Sequence, residues 1–138
     1  PEFEGKGATL DSPSLSAHVG HAIFSTLDVD REHVVVRFLN TKHKLIGMKI
    51  LHSGSINGAE VSVREIMKSA LLMSACSIIC LHNHPSGVLT PSAMDLSITK
   101  SIQQACLLLN VLLLDHVILG TNTHYSMEEH GDLSYCIR

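Results

Sequence analysis

The sequence predicts an α/β domain in which helices pack on a mixed β-sheet. Two patterns predict it. Short runs of β-branched or wholly apolar residues alternate with stretches of helical period, and two S-x-x-[DE] capping boxes open helices between them. Composition agrees: 138 residues, 45% hydrophobic and 17% charged, suit one domain with a real core and exclude disorder for the bulk of the chain. Aromatic residues make up only 4% and Trp is absent, so the core is expected to be aliphatic. No apolar run approaches the ~18 residues that a membrane-spanning helix needs.

Taken in order, residues 1 to 13 show no period and read as a tail or linker, with Pro1-Glu2-Phe3 resembling a cloning-site scar; residues 14 to 138 form the domain. Ser14 to Leu27 suits a short helix, with Leu15, Val19, Ala22, Ile23 and Leu27 on one face, and Asp28-Val29-Asp30 reads as a turn. His33 to Leu39 is rich in β-branched residues and reads as a strand. A polar turn, Asn40 to Lys44, joins it to a second strand, Leu45 to Ser53, in a predicted hairpin, and Gly54 to Gly58 reads as a loop. Ser62-Val63-Arg64-Glu65 is a capping box opening a helix to about Ala75. Ser77 to Leu81 suits a strand buried on both faces. The polar segment His82 to Pro91 follows. Ser92-Ala93-Met94-Asp95 is the second capping box, opening a helix to about Leu109. Val111 to Leu119 reads as another buried strand, and Tyr125 to Met127 as a short last one.

The formal charge of −3 offers no basic footprint for nucleic acid; Lys42, Lys44 and Lys49 read as a solvated hairpin face. The four cysteines form no C-x-x-C pair. Cys76, Cys80 and Cys106 read as small buried hydrophobes and Cys136 as a free thiol, which suits a reducing, cytoplasmic setting. The unusual count is ten His against ten Lys+Arg.

His82-Asn83-His84 carries the chemistry. In extended backbone, residues two apart point to one side, so both imidazoles can turn toward one point. Pro85, Gly87 and Pro91 then turn the chain and deliver Asp95 on the first turn of the next helix. Two His and one carboxylate leave a fourth tetrahedral position open, the pattern of a catalytic rather than a structural zinc site. A water held there has its pKa lowered toward ~7. Bland readings compete: H-x-H arises by chance in a His-rich chain, Asp95 is explained as the capping-box acid, and Ser92 as the helix N-cap. It is their order along the chain that favours a metal.

The string H-x-H-P-x-G-x3-P-S-x2-D resembles the motif of the JAB/MPN/JAMM metalloprotease superfamily. His82 to Gly87, with Pro91-Ser92-x-x-Asp95 and Thr99, is similar to its bacterial RadC branch. Arg31-Glu32-His33, Val63-Arg64-Glu65 (Val63 where Pro is usual), Leu114-Asp115-His116-Val117-Ile118 and Ser126 agree, so the resemblance covers about residues 14 to 133. It implies a JAB/MPN-like, cytidine-deaminase-like layered fold. It also implies Zn2+ bound by His82, His84 and Asp95, with Ser92 hydrogen-bonding the water or the developing oxyanion and Glu32 taking the water's proton. Glu65 is the rival base, but its capping box is expected to occupy it. His116, in an apolar strand, reads as a core residue or one that orients a ligand. His18, His21, His33, His43, His52, His124 and His130 are expected on the surface.

The expected activity is zinc-dependent hydrolysis of a peptide or isopeptide bond in a peptide or protein substrate. The alternative implied by the resemblance is a DNA-repair-associated binding module, against which the missing basic face weighs. A metal-free scaffold is the third reading, and the intact ligand set argues against it. Oligomeric state is left open.

Overall fold

The computed structural model describes residues 13–25, 32–52 and 62–133. Residues 1–12 of the predicted tail, the Asp28–Asp30 turn, the Gly54–Gly58 loop and Cys136 lie outside the described residues, whereas Pro13, expected in the tail, is the first residue of a helix. Three helices and five strands follow the order α1 (Pro13–Phe24), β1 (His33–Leu39), β2 (Leu45–His52), α2 (Val63–Leu72), β3 (Ser77–Asn83), α3 (Ala93–Leu108), β4 (Leu112–Leu119) and β5 (His124–Ser126). The strands form one mixed sheet in the order β2-β1-β3-β4-β5. β1 pairs antiparallel with both β2 and β3, β3 and β4 run parallel, and β5 returns antiparallel on β4. The predicted α/β architecture and the β1–β2 hairpin are therefore present. Helix α3 is the crossover that a parallel pair requires.

The two faces of the sheet bury different partners. Val34, Val36 and Phe38 of β1, with Ile78 and Cys80 of β3, face Ile66 and Ala70 of α2 and Ile102 and Cys106 of α3. Val35 and Leu39, with Ile79, Leu81, Val117 and Leu119, face Ala17, Ile23 and Phe24 of α1. The result is three layers, α1 / sheet / α2 with α3, and an aliphatic core as expected. Helix α1 lies close to the sheet because Gly20 has no Cβ: one built there would stand 2.9 Å from Leu119 Cδ1.

Several expectations are corrected. Strand β3 runs on to Asn83, so His82 lies within it instead of after it; paired strands on both sides outweigh the polarity of its last two residues. Cys76 is exposed, because it sits in the turn that joins α2 to β3, ahead of the first buried strand residue. His33 is buried rather than on the surface, since β1 is flanked by two strands and the Phe24 ring of α1 lies 6.5 Å away. At α2 only half the predicted box is made. Ser62 Oγ accepts from Glu65 N–H, but the Glu65 carboxylate reaches instead to Lys49 Nζ, 3.4 Å away. Arg37, which no sequence pattern singles out, is wholly buried in the middle of β1.

Candidate metal centre

Sheet register assembles the site. Val34 of β1 stands opposite His82 of β3. Two residues before Val34, and on the same face, is Glu32. Fifty residues of separation thus close to 3.6 Å between Glu32 Oε1 and His82 Nε2. The junction is pinned by His33 N–H donating to Asn83 Oδ1 at 2.6 Å. Beyond the strand, His84 N–H still donates to Leu119 O of β4. Gly87, at φ +80°, then turns the chain so that Val88 O accepts from His84 Nδ1 at 2.7 Å. Bonded to a carbonyl, Nδ1 must carry a proton, which leaves Nε2 as the nitrogen that faces the site. The two rings meet edge-on, with centroids 4.7 Å apart.

The N-terminus of α3 brings in Asp95. Here the capping box is complete: Asp95 N–H donates to Ser92 Oγ at 3.0 Å, and Ser92 N–H donates to Asp95 Oδ2 at 2.9 Å. The cap does not use up the carboxylate. Oδ2 also lies 3.0 Å from His84 Nε2, and Oδ1 lies 3.5 Å from His82 Nδ1. Burial alone would raise the Asp95 carboxyl, but the bonds from His84 and Ser92 and the His82 ring hold it well below the usual carboxylate range. The bond to Asp95 raises His84 above its ordinary value. His82 moves the other way, lowered mainly by burial.

The five residues singled out by sequence therefore converge on one corner of the molecule, at the carboxyl end of β3. Glu32, His82 and His84 each offer a donor atom, and these atoms all lie within 4.8 Å of one another, so the group could hold a metal ion. Asp95 reaches both imidazoles of that group, 3.0 Å from His84 Nε2 and 3.5 Å from His82 Nδ1. Imidazole nitrogen with carboxylate oxygen is a donor chemistry that suits zinc. Among the described residues the buried Nδ1 of His82 has no hydrogen-bond partner, its nearest carboxylate oxygen being Asp95 Oδ1 at 3.5 Å, so the ring has coordination to spare. Ser92 Oγ accepts from Asp95 N–H, which explains part of its place here.

Behind the donors lies a link that sequence reasoning did not find. Thr99 Oγ1–H donates to Asp95 O at 2.7 Å and accepts from His116 Nδ1 at 2.6 Å. The signal was present in the spacing, since Thr99 follows Asp95 by four residues on one helix face. His116 is buried with its ring centroid 5.8 Å from that of His82. Its neighbour Asp115 acts elsewhere. It accepts from Ser126 Oγ and from the His116 and Glu128 N–H groups, tying β5 and the turn after it to β4.

No helix among the described residues is long and apolar enough to cross a membrane. A UPF0758 protein of Acidithiobacillus ferrooxidans is 42% identical over 127 residues, 91% of this chain and 55% of that protein. A UPF0758 protein of Shouchella clausii is 47% identical over 103 residues, covering 75% of this chain and 45% of its own length. A third, from Pseudomonas syringae, is 40% identical over 118 residues, or 86% and 48%. The chain thus spans about half the length of the curated relatives it matches. The family model described as a RadC-like JAB domain matches residues 11–132, and with the H-x-H strand end, the capped Asp95 and the layered sheet already in view, this chain belongs to the RadC-like JAB domain family.

Proposed function

We propose that the domain is a zinc-dependent hydrolase of amide bonds, peptide or isopeptide, in which His82, His84 and Asp95 hold the ion and Glu32 moves the proton. One observation carries the reading: two carboxylates flank the same pair of imidazoles, and they differ in exposure. Asp95 is buried and held by its helix cap. Glu32 stands at a strand start with a side chain 35% exposed. A ligand profits from being fixed, whereas a proton carrier must reach first a water and then a leaving group.

When bound, a zinc ion polarises the scissile carbonyl and lowers the pKa of a water toward ~7. The chain's own residues do the rest. Val88 O keeps the proton of the His84 ring on Nδ1, so that Nε2 would be the nitrogen offered to an ion. Asp95, ionised across the neutral range, supplies the charge that balances the ion. Glu32 accepts the attacking water's proton on a carboxylate oxygen and returns it to the departing nitrogen. Ser92 Oγ, already accepting from Asp95 N–H, donates its own proton toward the oxygen on which charge develops. The substrate is a peptide or protein segment, and the free thiols Cys76, Cys80 and Cys106 suit a reducing, cytoplasmic setting.

The rival arrangement makes Glu32 the third ligand and leaves Asp95 as a cap alone. Glu32→Gln separates the two by metal content and peptidase rate. Our reading expects zinc retained at one equivalent and hydrolysis reduced by ~10²–10⁴-fold. Loss of zinc together with activity would favour the rival, and an active Glu32→Gln protein would remove Glu32 from the mechanism.

A further inference from the structure

The Thr99–His116 link does not belong to the donor set, and nothing in the proposed chemistry uses it. Its hydrogen-bond accounting nevertheless has one solution. Thr99 Oγ1 gives its single proton to Asp95 O, so toward His116 it can only accept. His116 Nδ1 is therefore the protonated nitrogen, and Nε2 is left as a buried acceptor without a hydrogen-bond partner among the described residues. A core position with no further role is better filled by an apolar side chain, because an orphaned buried polar atom costs stability. Yet this imidazole is only 3% exposed, with its ring against His82. The link also closes a short circuit through the site: His116 to Thr99, Thr99 to the Asp95 backbone, the Asp95 carboxylate to His82 and His84.

We propose that Thr99 and His116 are positioning residues for the donor set: the hydroxyl fixes the first turn of α3, and with it the aim of the Asp95 carboxylate, while the His116 ring backs His82 from β4. The inference rests on the reading of His82, His84 and Asp95 as metal ligands. It adds that their alignment is imposed from the interior side of the helix, by a residue pair whose side chains never reach substrate.

The test uses Co2+ as the probe, read by competition titration and by its visible ligand-field spectrum, beside thermal unfolding of the metal-free domain. Thr99→Val keeps the shape and removes the hydroxyl; Thr99→Ser restores it. His116→Leu removes the orphaned nitrogen. The expected result is a ~10–100-fold weaker Co2+ affinity and an altered band for Thr99→Val and His116→Leu, with Thr99→Ser close to wild type in both. For His116→Leu, the unfolding midpoint is expected to hold or rise while affinity falls, an opposition that a merely structural residue does not produce. Should Thr99→Val fail to fold, His116→Leu carries the test alone. Wild-type affinity and spectrum in both variants would overturn the inference while leaving the ligand reading intact. Failure of the wild-type domain to take up Co2+ would overturn the ligand reading, and this inference with it.

Discussion

At the scale of the residue, two imidazoles close together have opposite relations to acid. His116 is pushed down to about 3, first by burial and then by the charge of His82. An unfolded chain takes its proton near the ordinary value of 6.5, which the folded one refuses until about 3. The contribution of a neutral His116 is therefore complete above 6.5 and is lost as the pH falls through that window. His84 is raised, chiefly by its bond to Asp95, so its contribution is complete below 6.5 and is lost as the pH rises through its folded value. The measured slope sums these two with the other shifted groups, His82 and Asp95 among them, and a variant isolates the part that one residue contributes. Denaturant unfolding of the metal-free domain between about pH 7 and 4 is expected to lose stability less steeply in His116→Leu than in wild type, by on the order of a few kcal/mol across the window. Parallel slopes would show that His116 is protonated in the folded domain as readily as in the unfolded one.

At the scale of the element, capping explains where the helices begin and corrects one energetic expectation. A reciprocal box at α2 would have made Glu65→Ala as costly as the loss of a cap. The observed division of labour shifts that cost to Ser62. Ser62→Ala is expected to destabilise by ~1 kcal/mol. Glu65→Ala is expected to cost no more than ~0.5 kcal/mol, since a solvent-screened pair with Lys49 is all it loses. Thermal unfolding of the two variants side by side checks the order, and equal losses would restore the reciprocal box. Sequence names β1 with the observed bounds because Val34, Val35 and Val36 leave little else for that segment to be. It ends β3 two residues early, because polarity at His82 and Asn83 looks like a strand end until the neighbouring strands are known. The helix C-termini follow the same logic. Both α2 and α3 close with a residue at positive φ, Ser74 and Asn110, whose following N–H returns to Ala70 O and Cys106 O respectively. Asn110 advertises such an ending, and Ser74 does not.

At the scale of the whole molecule, the H-x-H…D spacing is legible because its members fall within fourteen residues and one turn carries Asp95 to the histidines. Glu32 is reached only through resemblance, since no local pattern shows that β1 runs antiparallel beside β3. Burial of His33 depends on the same long-range pairing and leaves no local trace, whereas the Thr99–His116 bond depends on α3 packing against β4 and shows locally only in the Asp95–Thr99 spacing. Coupling between site and fold gives a molecular prediction. A ligand that binds only the folded state stabilises it by mass action, ~2.7 kcal/mol at a hundredfold excess over its dissociation constant. Zinc at that excess is expected to raise the unfolding midpoint by several degrees. EDTA should reverse the shift, and His82→Ala should abolish it. An unchanged midpoint with zinc would argue against a preformed site.

The pairing of β1 with β3 has a consequence of its own. Glu32 and the imidazoles it stands beside share no covalent neighbourhood, only a ladder of amide bonds. A single residue inserted between Glu32 and Val34 would leave the hairpin and the core able to form, yet it would turn Glu32 to the α1 face of the sheet. Such a protein would keep its histidines and its helix cap, yet lose the 3.6 Å approach of Glu32 to His82. The assembly of the site therefore depends on the spacing of a strand end as firmly as on the identity of any side chain.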